Sequence, residues 1–358
     1  MKDKQCSESS TGIIGTVGVP ASYGGFETLV ENIIENDQLR YVVYCSSKKY
    51  SQKKRTYKGA ELVYIPLDAN GISSIFYDIF SIIHAVFFKK AKSLLILGVS
   101  GCLILPFIKK ISSIKICTNI DGLEWKRDKW SKNAKRFLKW SEKIAVKYSD
   151  VIIADNQEIA NYVLAEYNKL CTVIAYGGDH AIAHTSNLET EATEKNGYAL
   201  ALCRIEPENN VHVILDAFVG VDKNLKFIGN WSNSEYGKKL KNKYQGFPNI
   251  ELIDPIYDIA KLDVIRRNCS VYIHGHSAGG TNPSLVEMMF FAKPIICFDC
   301  KYNRYTTHDM SDYFCDSGDL NSKIATFADN NKGVMLKRIA EENYTWDKIR
   351  RQYENLLN

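Results

Sequence analysis

The sequence predicts two Rossmann-like, doubly wound α/β domains, set one after the other and facing a central cleft. Three observations carry this. Short apolar runs alternate with helix-length stretches along the whole chain, the pattern of parallel strands covered on both faces. The alternation breaks once, in the polar stretch 180–196, and then restarts. The length, 358 residues, suits two domains. Composition agrees: 45% hydrophobic and 24% charged residues exclude a disordered, collagen-like or coiled-coil chain.

In order, Ile13-Ile14 enters a glycine-rich turn, and a helix leaves it from about Phe26 to Asn36. Tyr41–Cys45, Leu62–Ile65, Leu94–Leu97, Ile114–Asn119, Val151–Ala154 and Thr172–Ala175 read as the remaining strands of a first domain, 1–185. Tyr198–Cys203, Leu225–Ile228, Ile250–Leu252, Val271–His274 and Ile295–Phe298 read as those of a second, 186–340. The segment 341–358 is expected to be a closing helix packed back on the first domain. Ile72–Phe88 is the stretch nearest to a membrane span. Asp78 and His84 interrupt it and it is shorter than the ~20 residues a spanning helix needs, so a buried helix is expected, with an interfacial helix as the alternative. No signal peptide is read at the start.

Charge is uneven. Residues 1–180 hold 25 Lys+Arg and 18 Asp+Glu, net +7, whereas 181–358 hold 21 and 23, net −2. Nine of the basic residues fall in 126–147 against two acids; Lys135, Lys139, Lys143 and Lys147 recur every four residues and are expected to form a stripe on one helical face, beside the apolar Trp130, Phe137, Trp140 and Ile144. Such a helix suits an anionic membrane surface or plain solvation. No module accompanies it that would argue for nucleic acid. The ten cysteines are scattered through apolar runs, as reduced thiols of a cytoplasmic protein are. Cys297 and Cys300 have metal or redox spacing but no second pair, and His274 and His276 have no carboxylate or cysteine partner nearby, so no metal site is expected.

Four segments carry candidate chemistry, each just after a strand. Gly15-Thr-Val-Gly18 through Tyr23-Gly24-Gly25-Phe26-Glu27 is a glycine-rich loop opening a helix, where backbone N–H groups favour an anion. It matches neither GxGxxG nor a Walker loop; a tight strand–helix turn is the alternative. Asp121, in Asn119-Ile-Asp121-Gly122-Leu-Glu124-Trp125, would orient or deprotonate a hydroxyl, or cap a helix. Arg204, in Arg204-Ile-Glu206-Pro207-Glu208-Asn209-Asn210, offers a bidentate phosphate donor, or a surface ion pair with Glu206 or Glu208. In Gly279-Gly280-Thr281-Asn282-Pro283-Ser284-Leu-Val-Glu287, Asn282 suits an N-cap, Pro283 the first helical position and Ser284 a phosphate contact. Glu287 lies too far into the helix to cap it. It could accept hydrogen bonds from sugar hydroxyls or complement the helix dipole.

Together these segments resemble the family 4 sugar-nucleotide glycosyltransferases of GT-B fold, closest to a branch of bacterial rhamnosyltransferases of capsule, O-antigen and cell-wall synthesis. The resemblance runs from Ile13 to about Leu357. It implies a retaining hexosyltransferase using dTDP-rhamnose as donor substrate, with no further cofactor, and a polyprenyl-diphosphate-linked saccharide as acceptor; the sequence has no convincing Asp-x-Asp cluster, so no metal requirement is expected. With such an acceptor, the net +7 of residues 1–180 points to a place at the cytoplasmic face of the membrane, touched through the basic first domain. The resemblance assigns Gly24 and Gly25 to a loop facing donor diphosphate and acceptor, Arg204 to the diphosphate, Gly280, Thr281, Asn282 and Pro283 to donor sugar and phosphate, and Glu287 to the nucleotide ribose. Asp121 matches loosely a polar residue near the transferred sugar. Two positions depart from the family: Asn209 stands where a lysine is usual, and Gly279 where a glutamate is. A UDP- or GDP-sugar donor, or a GT-B-like nucleotide-sugar epimerase, is the alternative.

Overall fold

The computed structural model describes residues 10–21, 24–35, 39–126, 130–183, 197–327 and 331–358. The chain forms two compact units, Met1–Ala175 with Asp347–Asn358, and Tyr176–Trp346. Of the polar stretch 180–196, residues 184–196 lie outside the described residues, as do Tyr23, Arg127, Asp128 and Lys129.

The first unit is built on an eight-stranded sheet. Its strands are β1 (Ser10–Ile14), β2 (Arg40–Ser46), β3 (Thr56–Tyr57), β4 (Ala60–Ile65), β5 (Ser93–Leu97), β6 (Lys115–Asn119), β7 (Val151–Ala154) and β8 (Thr172–Val173). They lie in the order β3-β4-β2-β1-β5-β6-β7-β8, parallel throughout except β3 against β4. β5 is largely apolar and buried throughout, and β1 is buried from Thr11 onward, as strands covered on two faces must be. The chain runs outward from β1 through β2 to β4, then returns to lay β5 on the other side of β1. That reversal is a topological switch point, where open α/β sheets take ligands.

The second unit repeats this logic with six parallel strands, β9 (Tyr198–Leu202), β10 (Leu225–Ile228), β11 (Ile250–Ile253), β12 (Cys269–His274), β13 (Ile295–Phe298) and β14 (Asp312–Phe314), in the order β11-β10-β9-β12-β13-β14. Its switch point lies between β9 and β12. Phe218, Phe227, Trp231, Tyr244 and Phe314 fill its core.

The helix Ser73–Phe87 corrects the expectation of a buried helix over 72–88. Only one side is covered, by Tyr77, Asp78, Ser81, Ile82 and Ala85, and the other is open to solvent. Uniform hydrophobicity concealed the difference, because both sides of the helix are apolar. Among the described residues no helix is long and apolar enough to cross a membrane. The helix Trp346–Leu357 belongs to the first unit from Asp347 onward. It buries Ile349, Tyr353 and Leu357, spaced at i, i+4, i+8, and Arg350 donates to the Glu35 carbonyl at 2.7 Å.

Candidate active site

In the second unit the loops leaving β9 and β12 are sewn together. Ser277 donates its N–H (3.0 Å) and its hydroxyl (2.8 Å) to the Glu208 carbonyl, and Asn210 donates to the Gly275 carbonyl at 2.9 Å. Asn209 is buried, donates to the Arg204 carbonyl at 2.7 Å and meets His276 Nδ1 at 2.8 Å. The residue standing in place of the family's lysine therefore braces the two loops. Only glycine fits at 275, because a Cβ there would collide with the Asn209 carbonyl oxygen. Arg204 itself is exposed at the start of this braced loop.

Gly279, with φ of 112°, turns the second loop into the helix Pro283–Met289. Asn282 caps that helix and Pro283 takes its first position. The cap uses Ser284 fully: its N–H donates to Asn282 Oδ1 at 3.0 Å and its hydroxyl at 2.8 Å. The backbone before the cap is thus the part of this loop suited to an anion.

Glu287 faces inward, ion-paired to Arg266, with His180 Nε2 at 3.5 Å from its other oxygen. Burial pushes the Glu287 carboxyl up, but Arg266 and His180 outweigh it and hold the group below the ordinary carboxylate value. The indole N–H of Trp346 donates to His180 Nδ1 at 2.8 Å. The neutral imidazole then carries its proton on Nε2, toward Glu287. Arg266, His180 and Trp346 carry no sequence signal. They reach Glu287 only through the fold, Arg266 from the helix Ile259–Asn268 and Trp346 from far along the chain.

In the first unit the loop after β1 is held by carboxylates. Glu27 accepts from Thr16 Oγ1 at 3.0 Å and from the Val17 N–H at 2.8 Å, and Glu31 accepts from the Ala21 N–H at 2.6 Å. Two N–H groups read from sequence as facing an anion are therefore occupied by the protein's own acids. Gly24, with φ of 142°, leaves no room for a Cβ beside the Glu27 carboxylate, and Gly25 opens the helix Gly25–Ile33.

Asp121 is not a helix cap. It follows β6 in the left-handed region, φ 59°, a conformation that costs a non-glycine residue energy and recurs at functional sites. Its N–H donates to Asn119 Oδ1 at 3.0 Å, while the Asn119 amide donates to Tyr353 Oη at 3.0 Å. The terminal helix thereby fixes the turn that presents Asp121.

The lysine stripe resolves into two parts. On the helix Lys132–Tyr148, Lys143 and Lys147 are exposed, but Lys139 turns inward, 4.6 Å from the Trp125 ring centre, 4.7 Å from Tyr162 and 5.0 Å from Tyr167. Tyr162, Tyr167 and Trp125 all donate to buried Glu142, at 2.6, 2.6 and 3.0 Å. A four-residue step overshoots the 3.6-residue turn, so successive lysines drift around the helix. Beside them lies a cavity of about 790 Å³ lined by Lys126, Lys135, Arg136 and Trp140 among others.

Among the described residues no group of three or more His, Cys, Asp or Glu side chains is arranged to hold a metal ion, and the described cysteines are free thiols. His274 is buried with Nε2 unpartnered, and burial, reinforced by His276, holds it well below the ordinary histidine value.

Comparison with known proteins agrees with this geometry. Residues 186–346 match the family described as glycosyl transferases group 1, and residues 9–179 match a domain of unknown function, DUF1972. No curated protein matches the chain. Among solved structures it is similar to sucrose-phosphate synthase from Thermosynechococcus elongatus (TM-score 0.80, 11% identity, 98% of each chain). It is also similar to Anabaena HepE in complex with UDP-glucose (0.73, 12%, 98% of this chain and 99% of that). A putative UDP-N-acetylglucosamine 2-epimerase from Listeria monocytogenes shares the fold as well (0.63, 10%, 96% and 94%). The group 1 match covers the second of the two Rossmann-like units, and these solved structures share the fold of both.

Proposed function

We propose that this chain transfers a rhamnosyl group from dTDP-rhamnose to a hydroxyl of a polyprenyl-diphosphate-linked saccharide, with retention of configuration, at the cytoplasmic face of a membrane. The observation that carries the nucleotide-sugar part is the braced pair of loops at the β9/β12 switch point, which presents Arg204 and the Gly279–Ser284 turn one helical turn from Glu287. HepE with UDP-glucose, and a starch synthase from Arabidopsis bound to ADP and acarbose, support the same donor class. The rhamnosyl donor and lipid-linked acceptor rest on the motif resemblance, and membrane contact on the net +7 of residues 1–180 as well.

The mechanism follows from where charge develops. As the glycosidic bond breaks, negative charge builds on the departing diphosphate. The Arg204 guanidinium and the N–H groups ahead of the Asn282 cap stabilise it, doing what a divalent cation does in other transferases. Glu287, held ionised by Arg266, accepts from the nucleotide sugar; a dTDP donor offers it only the ribose 3′-hydroxyl. Asp121 orients the acceptor hydroxyl, which attacks from the face the leaving group departs: the new C–O bond forms as the bond to the diphosphate breaks, and the hydroxyl proton passes to the departing diphosphate oxygen, without a covalent enzyme intermediate. Gly24 and Gly25 let the acceptor approach, and the acid-braced loop around them suits hydroxyls better than phosphates.

Arg204→Ala tests the phosphate assignment. Turnover should fall by about 10²-fold or more with the melting temperature unchanged, since the side chain is exposed. Undiminished turnover would remove Arg204 from the site. An epimerase would form product from donor alone, and the transferase reading predicts none.

A further inference from the structure

The open side of the helix Ser73–Phe87 is not built for water. Ile72, Phe76, Phe80 and Phe87 are spaced by four, four and seven residues, so they share one face, and all are exposed, Phe76 by 55% and Phe80 by 53%. A solvated helix places polar side chains there. This helix has no Lys, Arg or Glu at all, and its one acid, Asp78, is buried on the opposite side.

The surface continues onto neighbouring helices of the same unit. The turn Cys102–Ile104 packs on this helix and leads into Leu105–Ile111, which exposes Phe107 and Ile111; Lys132–Tyr148 packs on both and exposes Trp140 between Arg136 and Lys143. Cations edge the apolar patch: Lys90 just past the first helix, Lys110 on the second, Arg136 and Lys143 on the third. Among the described residues none of these four has an acidic partner within 4.0 Å.

We propose that this three-helix face seats on an anionic phospholipid bilayer, its aromatic side chains entering the boundary between headgroups and acyl chains while the cations stay on lipid phosphate. The inference gives the membrane contact proposed above a surface, and rests on that reading for its role. Apolar rings set among exposed cations are complementary to that boundary. A second copy of the same face would set cation against cation, which disfavours self-association there.

The test is flotation of the full chain with vesicles of phosphatidylcholine, with and without phosphatidylglycerol, at low and high salt. Wild type should float with the anionic vesicles and lose much of that at high salt. Phe76→Ser with Phe80→Ser should lower partitioning at least tenfold, and Lys110→Glu with Lys143→Glu should abolish the preference for phosphatidylglycerol. Melting temperatures should stay level, because all four side chains are exposed. Flotation indifferent to either pair overturns the proposal. So does a dimer by light scattering that the phenylalanine pair dissolves without changing flotation. A nucleotide-induced thermal shift measured on the same proteins is independent of the surface: flotation failing while the shift persists refutes the face alone, and the converse refutes the donor reading alone.

Discussion

Asp78 shows how one buried group sets a pH dependence. Burial, only partly offset by the Ser100 hydroxyl, pushes its carboxyl up to about 7. An unfolded aspartate titrates near ~3.9. The folded state holds the proton more tightly, so this contribution to stability is full below the unfolded value and is lost as pH rises from about 4 to about 7. Asp78→Asn, which keeps the shape, should raise stability by on the order of 2–4 kcal/mol at pH 8 and by nothing near pH 4. Thermal melts across that range check it, and a pH-independent effect would contradict it. Glu287 behaves oppositely: its partners hold it ionised, so its contribution is present at neutral pH and fades on acidification. Arg266→Ala leaves that largely buried carboxylate with His180 as its remaining partner, at a cost of about 3 kcal/mol, whereas Arg266→Lys should recover part of it; denaturant titration of the full chain measures both.

At the scale of elements, the terminal helix closes the first unit and positions its chemistry. Besides the Tyr353 hydroxyl on Asn119, the Ser93 hydroxyl donates to the Leu357 carbonyl at 3.3 Å. Tyr353→Phe strips one hydrogen bond from a buried amide, worth about 1–3 kcal/mol. It should also loosen the Asp121 turn, lowering kcat while leaving nucleotide affinity unchanged. Wild-type kcat in that variant would uncouple the helix from Asp121. The strands were legible because parallel, doubly covered strands are apolar on both faces: Val151–Ala154 and Leu225–Ile228 coincide with the runs read from sequence. Thr56–Tyr57 and Asp312–Phe314 were not, being edge strands of two and three residues with polar members. The Asn282–Pro283 cap was legible because cap chemistry is local. The bracing roles of Asn209, Arg266 and Tyr353 were not, because each depends on a partner the fold brings from elsewhere. The lysine stripe misled because its period is not that of the helix.

For the whole molecule, both units place their candidate residues after the carboxyl ends of strands at or next to a switch point: Gly24 and Gly25 after β1 and Asp121 after β6 in the first, Arg204 after β9 and the Gly279–Glu287 segment after β12 in the second. Only the second unit pairs an exposed arginine with a braced glycine turn and a partnered glutamate, so nucleotide binding is expected to stabilise that unit. The most direct test is a ligand-induced thermal shift of the full chain with dTDP, UDP and GDP, with and without EDTA. A ligand at 100 times its Kd adds about 2.7 kcal/mol, a shift of several degrees. The expected result is a shift with dTDP, larger than with UDP or GDP, absent in Arg204→Ala and unchanged by EDTA. A shift selective for UDP or GDP would move the donor, dependence on a divalent cation would contradict the charge assignment to Arg204, and no shift with any nucleotide would contradict the donor site itself.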